Sequence, residues 1–284
     1  MRKFGKFVIP YIVWLVILVV IPMFAMIILS FANTEGLDFK TFEFSLDSIK
    51  AVFSSEYLIA FWNSLKIALI STFICFLIGY PVAYFVSTSK IKHKMALMMV
   101  IILPMWSNML LRIMALEKVF SSKFITDVLH IGESGIGLNG TMFAVISGTV
   151  LMYLPFMILP IFTTLEKMDK SLIEASHDLG LGKVKTFIKT IFPLSLKGVF
   201  SGFIMVFLPS ATGFVVTERL GVGKIIMIGN IIEQFFKKTF NYNMGSLLSI
   251  IVIIVIMGSL ILLSKNDEDG ETLLWKNLKE LMFV

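Results

Sequence analysis

Long apolar runs alternate with short polar segments along this chain of 284 residues. A membrane-spanning helix needs about 20 consecutive apolar residues, because each residue adds about 1.5 Å and the bilayer core is about 30 Å thick. Six runs have this length, and they cover residues 8–31, 64–88, 95–116, 141–163, 196–216 and 244–264. The pattern predicts an all-α, polytopic membrane protein with six transmembrane helices in a single domain, residues 1–284.

The composition favours the same class. Hydrophobic residues make up 57% of the chain and charged residues 15%, whereas charged residues are about a quarter of an ordinary soluble domain. The net charge is +6, but the chain has no polar domain long enough to carry a basic patch, so nucleic acid is not an expected partner. The single cysteine, Cys75, lies in an apolar run and excludes a disulfide framework.

The basic residues between the runs indicate the orientation. Fifteen lysines and arginines lie on one side of the predicted membrane and eight on the other. The positive-inside rule therefore places both termini in the cytoplasm and the chain in the cell membrane, with multiple passes. The run at residues 8–31 is longer than the apolar core of a cleavable signal peptide, about 7 to 15 residues, so we interpret it as a retained span.

One predicted cytoplasmic segment, residues 171–193, contains a cluster of polar side chains at Glu174, His177 and Asp178. A Glu-x-x-His pair occurs in di-iron bundles, but those sites need two such pairs and further carboxylates. General acid–base catalysis would need a nucleophile or a buried pocket, which a short solvated helix does not offer. We therefore expect no catalytic residue and no metal ligand here, and a solvated helix face is the simplest interpretation.

The local sequence predicts a helix, a turn and a second helix. Ser171 and Glu174 have the spacing of a capping box at a helix start. Gly180 and Gly182 can adopt the left-handed conformation that ends a helix. A second helix is then expected over Lys183–Ile191, before the fifth apolar run.

The spacing of this segment resembles the EAA loop of type I permeases of ABC importers, whose pattern is E-A-A, three residues, G, nine residues and I-x-L-P. The positions that match are Glu174, Ala175, Gly180 and Pro193. The positions that differ are Ser176 for the second Ala, Thr190 for Ile and Phe192 for Leu. In that family the short loop helix seats in a groove of a cytoplasmic ATPase. The resemblance therefore implies an ATPase-coupling role for Glu174, Ala175, Ser176, Asp178, Gly180 and Pro193.

The resemblance extends over nearly the whole chain and is strongest to the permeases of spermidine/putrescine importers. The stretches that show it are Phe61–Ser64, Ile102–Ala115, Tyr153–Asp169, Phe207–Val216 and Met227–Phe236. It implies the MetI-like permease fold, a second homologous permease, two copies of a cytoplasmic ATPase and an extracellular polyamine-binding protein. The chain contains no Walker A motif, so ATP and Mg²⁺ are expected in the ATPase, and no cofactor is expected on this chain.

A path for a polyamine should offer carboxylates and aromatic faces to a flexible polycation. Candidates near the predicted outer surface are Trp106, Asn108, Glu117 and Glu218. Arg112 lies inside an apolar run and would repel such a cargo. We therefore expect Arg112 to be a structural charge, either snorkelling to the surface or pairing with Glu117 or Glu218.

Other functions remain open at this point. An ABC permease for a different small solute would share most of these features. A secondary transporter driven by an ion gradient would place carboxylates near the midplane of the membrane, but the apolar runs contain almost no acidic residues. A membrane-embedded enzyme is disfavoured because the ligands of a metal site are missing.

Overall fold

The computed structural model describes residues 5–33, 43–44, 47–121 and 138–258. These residues are almost entirely helical, which agrees with the predicted class. The one strand pairing within the described ranges is antiparallel and joins Ala32–Asn33 to Glu43–Phe44. The chain divides into two compact units, one of Met1–Phe61 with Ile228–Ser259 and one of Trp62–Met227 with Leu260–Val284.

The first unit begins with a helix that is apolar on every side. Gly5–Leu15 continues through a π-helical turn, Val16–Val20, into Ile21–Ser30. The side chains from Pro10 to Phe24 are all exposed in this chain. An all-round apolar surface of this kind requires lipid or another apolar surface around it.

The remaining helices of this unit surround a small core. They are Asp47–Val52, the beginning of Ser55–Thr88, Ile228–Lys237 and Tyr242–Gly258. The buried side chains at their contacts include Val52, Ala60, Ile231, Leu247 and Leu248. The rings of Tyr57 and Phe235 meet edge to face, with centroids 6.0 Å apart.

The second unit contains the rest of the helix Ser55–Thr88 and the helices that follow it. These are Lys94–Ile102 with the 3₁₀ turn Leu103–Trp106, then Met109–Phe120, Met142–Glu166, Lys170–Asp178, Lys183–Thr186 with the π turn Phe187–Ile191, Phe192–Thr212 and Val215–Leu220. The helix Met142–Glu166 lies at its centre. Its buried side chains include Met157, Ile158, Ile161 and Phe162.

Two glycines allow the helix Phe192–Thr212 to pack closely against Met142–Glu166. A Cβ atom on Gly198 would lie 2.6 Å from Thr164 Oγ1, and one on Gly202 would lie 2.8 Å from Met157 Sδ. Small residues four positions apart are a common means of close helix packing in membranes. The side chains of any larger residues at these two positions would force the helices apart.

The apolar helices agree with most of the predicted spans. Four helices are long and apolar enough to cross a membrane within the described residues: Pro10–Ser30, Ser55–Thr88, Met142–Glu166 and Lys183–Thr212. The run at 244–264 corresponds to the shorter helix Tyr242–Gly258, and its last residues lie outside the described part of the chain. The multi-span class is therefore confirmed, while the count of six spans stays a prediction.

The run at 95–116 is not the single straight helix that its apolarity predicts. Lys94–Trp106 and Met109–Phe120 are bent by 82° at a break. Pro104 is the second residue of the 3₁₀ turn, and Ser107 after this turn is extended. Asn108 caps the following helix, because its Oδ1 accepts a hydrogen bond from Leu110 N–H at 2.8 Å. A proline followed by a good N-cap residue ends one helix and starts another.

Candidate functional site

The helix predicted to couple the chain to an ATPase, Lys170–Asp178, is called the loop helix below. Its N-cap is Asp169, whose Oδ1 accepts a hydrogen bond from the backbone N–H of Ser171 at 2.9 Å. The capping box predicted for Ser171 and Glu174 is therefore wrong, because the aspartate already satisfies a free amide of the first turn. This bond holds the pKa of the Asp169 carboxyl below its ordinary value.

The loop helix ends in the glycine turn that the sequence predicts. Gly180 has a φ of +79°, its N–H donates to His177 O at 2.9 Å, and the N–H of Leu181 donates to Ser176 O at 3.1 Å. These two bonds form a Schellman motif, in which the left-handed position favours glycine. Gly182, also expected to be left-handed, is instead extended, with φ −70° and ψ 163°, and caps the next helix.

His177 has a structural role in the same turn. Its Nδ1 lies 3.0 Å from Leu181 O, and since a carbonyl can only accept, Nδ1 carries the hydrogen and donates it. The imidazole therefore ties the end of the loop helix to the turn. Across the part of the chain that the structure describes, no group of three or more His, Cys, Asp or Glu side chains could hold a metal ion.

The two faces of the loop helix differ in exposure. Leu172, Ala175 and Leu179 lie along one face and are all exposed, and Leu179 has 82% of its surface accessible. We call these three residues the exposed stripe. Ile173 and Ser176 lie next to this stripe and face the chain's own helices. Ile173 packs against the core cluster, and Ser176 is buried with only 7% exposed. The coupling role of Ser176 stays a prediction, but its side chain is turned towards Thr190 and is not part of the exposed stripe.

Glu174 and Asp178 lie one turn apart on a different face of the loop helix and are also exposed. Glu174 additionally lines a cavity of about 530 Å³ beside the loop helix. Another part of the cavity wall contains an ion pair, in which Lys94 Nζ lies 3.4 Å from Glu166 Oε2. Lys94 also donates to Ser87 O, so this lysine joins three chain segments. The carboxylates predicted for coupling thus lie where another protein can contact them.

Beyond the turn, the chain forms one continuous helix over Lys183–Thr212. The N–H of Phe192 bonds to Phe187 O, five residues earlier, so the backbone widens into a π turn just before Pro193. Pro193 has no N–H to donate to a helical hydrogen bond, and in a regular α-helix its ring would clash with the carbonyl four residues earlier. The π turn accommodates Pro193, and the separate helix predicted over Lys183–Ile191 is part of the fifth span.

Several contacts around this π turn were not predicted from the sequence. Ser176 Oγ lies 2.9 Å from Thr190 Oγ1, which joins the loop helix to the π turn. Tyr80 lies against the rings of Phe187 and Phe192, with centroids 5.9 and 5.6 Å apart. Side chains this far apart in the sequence carry no local pattern that would predict their contact. Asp169, by contrast, stood directly before the helix and could have been recognised as its cap.

The four candidates for a substrate path occupy different settings. Trp106 is 85% exposed at the end of the 3₁₀ turn, while Asn108 uses its side chain to cap a helix. Glu117 is half-buried and Glu218 is exposed. The helices of these two glutamates, Met109–Phe120 and Val215–Leu220, pack together through a shared buried cluster. The structure therefore brings the two carboxylate-bearing helices together and gives Asn108 a structural role.

Arg112 does not pair as the sequence reasoning allowed. Its Nε is buried and has no hydrogen-bond partner among the described residues. The ion pairs of the same residues include none between Arg112 and Glu117 or Glu218. The residue as a whole is half-buried, and its charge lacks a carboxylate among the described residues.

Comparison with known proteins places the chain in a family. The family described as the inner membrane component of binding-protein-dependent transport systems matches residues 4–265. The chain belongs to this family. It is thus a transport subunit of an inner membrane, and the resemblance inferred from the EAA-type spacing is confirmed.

Curated relatives of this inner membrane component are named as spermidine/putrescine transport system permease protein PotB. The protein of Haemophilus influenzae is 35% identical over 254 residues, which cover 88% of this chain and 89% of the relative. That of Escherichia coli K12 is 36% identical over 253 residues, or 88% and 92%. A PotB homolog of Mycoplasma genitalium is 26% identical over 212 residues, or 74% and 72%.

Two solved structures show the fold of this inner membrane component. One is from a bacterial ABC transporter that imports the acidic polysaccharide alginate, with a TM-score of 0.72, 13% identity and coverage of 93% of this chain and 96% of that one. The other is from a bacterial alginate ABC transporter in complex with an alginate pentasaccharide-bound periplasmic protein, with a TM-score of 0.76, 14% identity and coverage of 95% and 96%. The predicted ABC permease fold is confirmed.

Proposed function

We propose that this transport subunit forms the translocation path of an ABC importer for a polyamine of the spermidine/putrescine class. The names of the relatives that are 35% and 36% identical support this substrate class. An extracellular binding protein delivers the polyamine, in keeping with the family's dependence on such proteins. The chain itself carries out no reaction, and ATP with its Mg²⁺ is bound and hydrolysed by a partner.

The observation that carries the coupling role is the exposed stripe of the loop helix. Leucine side chains that face water are unfavourable, and their burial in an apolar groove of a partner would lower the free energy of the complex. Ala175 between them leaves room for close approach. Glu174 and Asp178, which are exposed on another face of the same helix, can pair with basic residues of the ATPase. This surface suits the groove of a cytoplasmic ATPase.

The rest of the assembly follows from the same proposal. Two homologous permeases form the path, two copies of the ATPase lie beneath them, and the binding protein docks outside. Each permease is one domain of six spans with both termini in the cytoplasm. The distribution of basic residues supports this orientation, and the exposed first helix supports an apolar neighbour, whether lipid or the second permease.

Transport then depends on movement of the loop helix. Closure of the ATPases displaces the exposed stripe, and the displacement reaches the helix Lys183–Thr212 that follows the turn at Gly180. Because this helix is continuous, its far end moves with its near end and switches the path from inward to outward access, a rigid-body transition. On the outer side, Trp106, Glu117 and Glu218 are the proposed contacts of the polyamine, with Asn108 holding the bend beside them.

Replacement of Glu174 tests the coupling role. The complete complex with Glu174→Ala, reconstituted in liposomes, is expected to hydrolyse ATP while its polyamine uptake falls well below that of the unchanged complex. Glu56→Ala, which also removes an exposed carboxylate, is the matched control and should transport normally. Unchanged uptake and unchanged stimulation of ATP hydrolysis in Glu174→Ala would defeat the coupling proposal.

The substrate is tested separately from the coupling. Calorimetry of the binding protein from the same importer should show heat of binding with spermidine or putrescine. Binding of a sugar or an anion, with no response to either polyamine, would overturn the substrate class. That result would leave the role as an ABC permease for another small solute intact.

A further inference from the structure

Two of the three positions at which this chain departs from the EAA pattern contact each other. Ser176 stands where the pattern has Ala, and Thr190 stands where it has Ile. They are separated by the glycine turn, yet Ser176 Oγ and Thr190 Oγ1 lie 2.9 Å apart. In this chain, two positions that are apolar in the pattern are therefore joined by a hydrogen bond between the loop helix and the π turn.

The direction of this bond follows from the other contact of Ser176. Its hydroxyl donates to Leu172 O at 2.7 Å. Because a serine hydroxyl has one hydrogen, the hydrogen between the two side chains must come from Thr190. Thr190 thus donates to Ser176, and Ser176 donates to the backbone of the loop helix. Ser176 is 7% exposed, so water competes little for this chain of bonds.

Thr190 is attached to a part of the helix that is packed against the second span. It lies in the π turn Phe187–Ile191. Phe187 meets the rings of Tyr80 and Tyr84 edge to face, with centroids 5.9 and 5.1 Å apart. The Tyr80 hydroxyl also lies 2.8 Å from Ser195 Oγ, one turn further along the helix. A displacement of the π turn therefore displaces the second span as well as the fifth.

We propose that Ser176 and Thr190 are positioning residues that lock the loop helix to the π turn, so that a displacement of the loop helix reaches the second and fifth spans together. The chain connects the loop helix to the π turn through Gly180 and Gly182, and a turn with two glycines can bend. Ile173 of the loop helix also packs against the apolar cluster that contains Ile191, but apolar packing has no direction. The hydrogen bond adds a directional contact that holds the loop helix and the π turn together. This inference rests on the proposed coupling role of the loop helix.

The test measures polyamine molecules transported per ATP hydrolysed by the complete complex in liposomes. Thr190→Val keeps the shape and removes the donor, and Ser176→Ala removes the acceptor. Each should lower the ratio about five-fold, the change that the loss of one ordinary hydrogen bond produces in an equilibrium. Co-purification of the ATPase should be unchanged, because the exposed stripe is intact. Thr190→Ser, which keeps the hydroxyl, should restore most of the ratio.

The double variant Ser176→Ala/Thr190→Val separates a shared role from two independent ones. If the residues act through one bond, the double variant is no worse than the poorer single variant. The matched control is Thr163→Val, because the Thr163 hydroxyl bonds within its own helix to Pro160 O at 2.9 Å, and this variant should retain the ratio. If Thr190→Val fails to accumulate in the membrane, Ser176→Ala decides the result.

Three outcomes would overturn the inference. They are an unchanged ratio in both single variants, effects that multiply in the double variant, and loss of the ATPase from the Thr190→Val complex. The last would place Thr190 in docking and not in transmission. A failure of the coupling role itself is distinguishable, because Glu174→Ala would then also behave as the unchanged complex.

Discussion

The loop helix and the candidates for a substrate path near Trp106 and Asn108 were both predicted from the sequence, but the two regions are built on different principles. The loop helix has a cap, a Schellman turn and an exposed face, all set by residues near one another in the sequence. The bend gathers its candidates from helices that are remote in the sequence, Met109–Phe120 and Val215–Leu220. Local rules of helix formation therefore predict the form of the loop helix, while the surroundings of the path candidates depend on how helices pack.

The comparison predicts that the two regions fail in different ways when they are changed. Variants of the exposed stripe should impair contact with the ATPase and leave substrate recognition intact. Variants near the bend should impair substrate recognition and leave the ATPase bound. The four changes below run from the largest expected effect to the smallest.

Leu179→Asp should have the largest effect. Leu179 is 82% exposed, and in the proposed complex it is buried, so a carboxylate there would lose its water without a partner. We expect retention of the ATPase by the purified permease complex to fall by about ten-fold or more, as for a central interface residue. Val184→Asp is the control, because Val184 is also exposed but lies beyond the turn. Normal retention in Leu179→Asp would show that the exposed stripe is not the docking surface.

Gly180→Val should have the next largest effect. Nothing lies within 4 Å of a Cβ atom at this position, so the only cost is the left-handed backbone at φ +79°. That cost is about 1–2 kcal/mol for a residue with a side chain. We expect reduced uptake and faster proteolysis of the loop, with Gly180→Asn much milder because asparagine tolerates this conformation. Equal effects of valine and asparagine would contradict the backbone explanation.

Glu218→Gln should reveal the other region. Glu218 is exposed, and its helix packs against the helix of Glu117, which is half-buried. Removal of one exposed charge that attracts a polycation weakens the contact by about 1 kcal/mol or less. We expect a higher KM for polyamine uptake, by a factor of a few, with the ATPase fully retained. High salt should shrink the difference. An unchanged KM in Glu218→Gln and in Glu117→Gln would remove both residues from the path.

The smallest effect concerns pH and the cap of the loop helix. Because the folded pKa of Asp169 is lowered, its contribution to stability is full above the ordinary value of 3.8 and is lost as the pH falls through the lower folded value. The protection of the Ser171 amide against hydrogen exchange, measured relative to the intrinsic exchange rate at each pH, should therefore fall in acid. Asp169→Asn, which caps without titrating, should abolish this loss of protection, and its persistence in that variant would exclude Asp169 as the cause.

Much of the fold was predictable because a bilayer leaves few solutions. Backbone groups in lipid must bond internally, so long apolar runs become helices, and Ser55–Thr88 and Met142–Glu166 lie where the runs predict them. The break in the run at 95–116 was missed because the apolarity of a run does not show whether the helix axis changes direction within it. Pro104 and Asn108 gave a local signal for the break. The π turn before Pro193 similarly merged two predicted helices into one.

The docking surface shows where the sequence alone is sufficient and where it is not. The sequence by itself determined the glycine turn at Gly180, the helix before it and the exposure of Glu174, because these depend on backbone conformation and on residues within one or two turns. Only the tertiary structure decided that Ser176 points inward to Thr190 and that Arg112 lacks a carboxylate among the described residues. A side chain's partner across the fold depends on how helices pack, and that is a property of the whole chain and not of any segment.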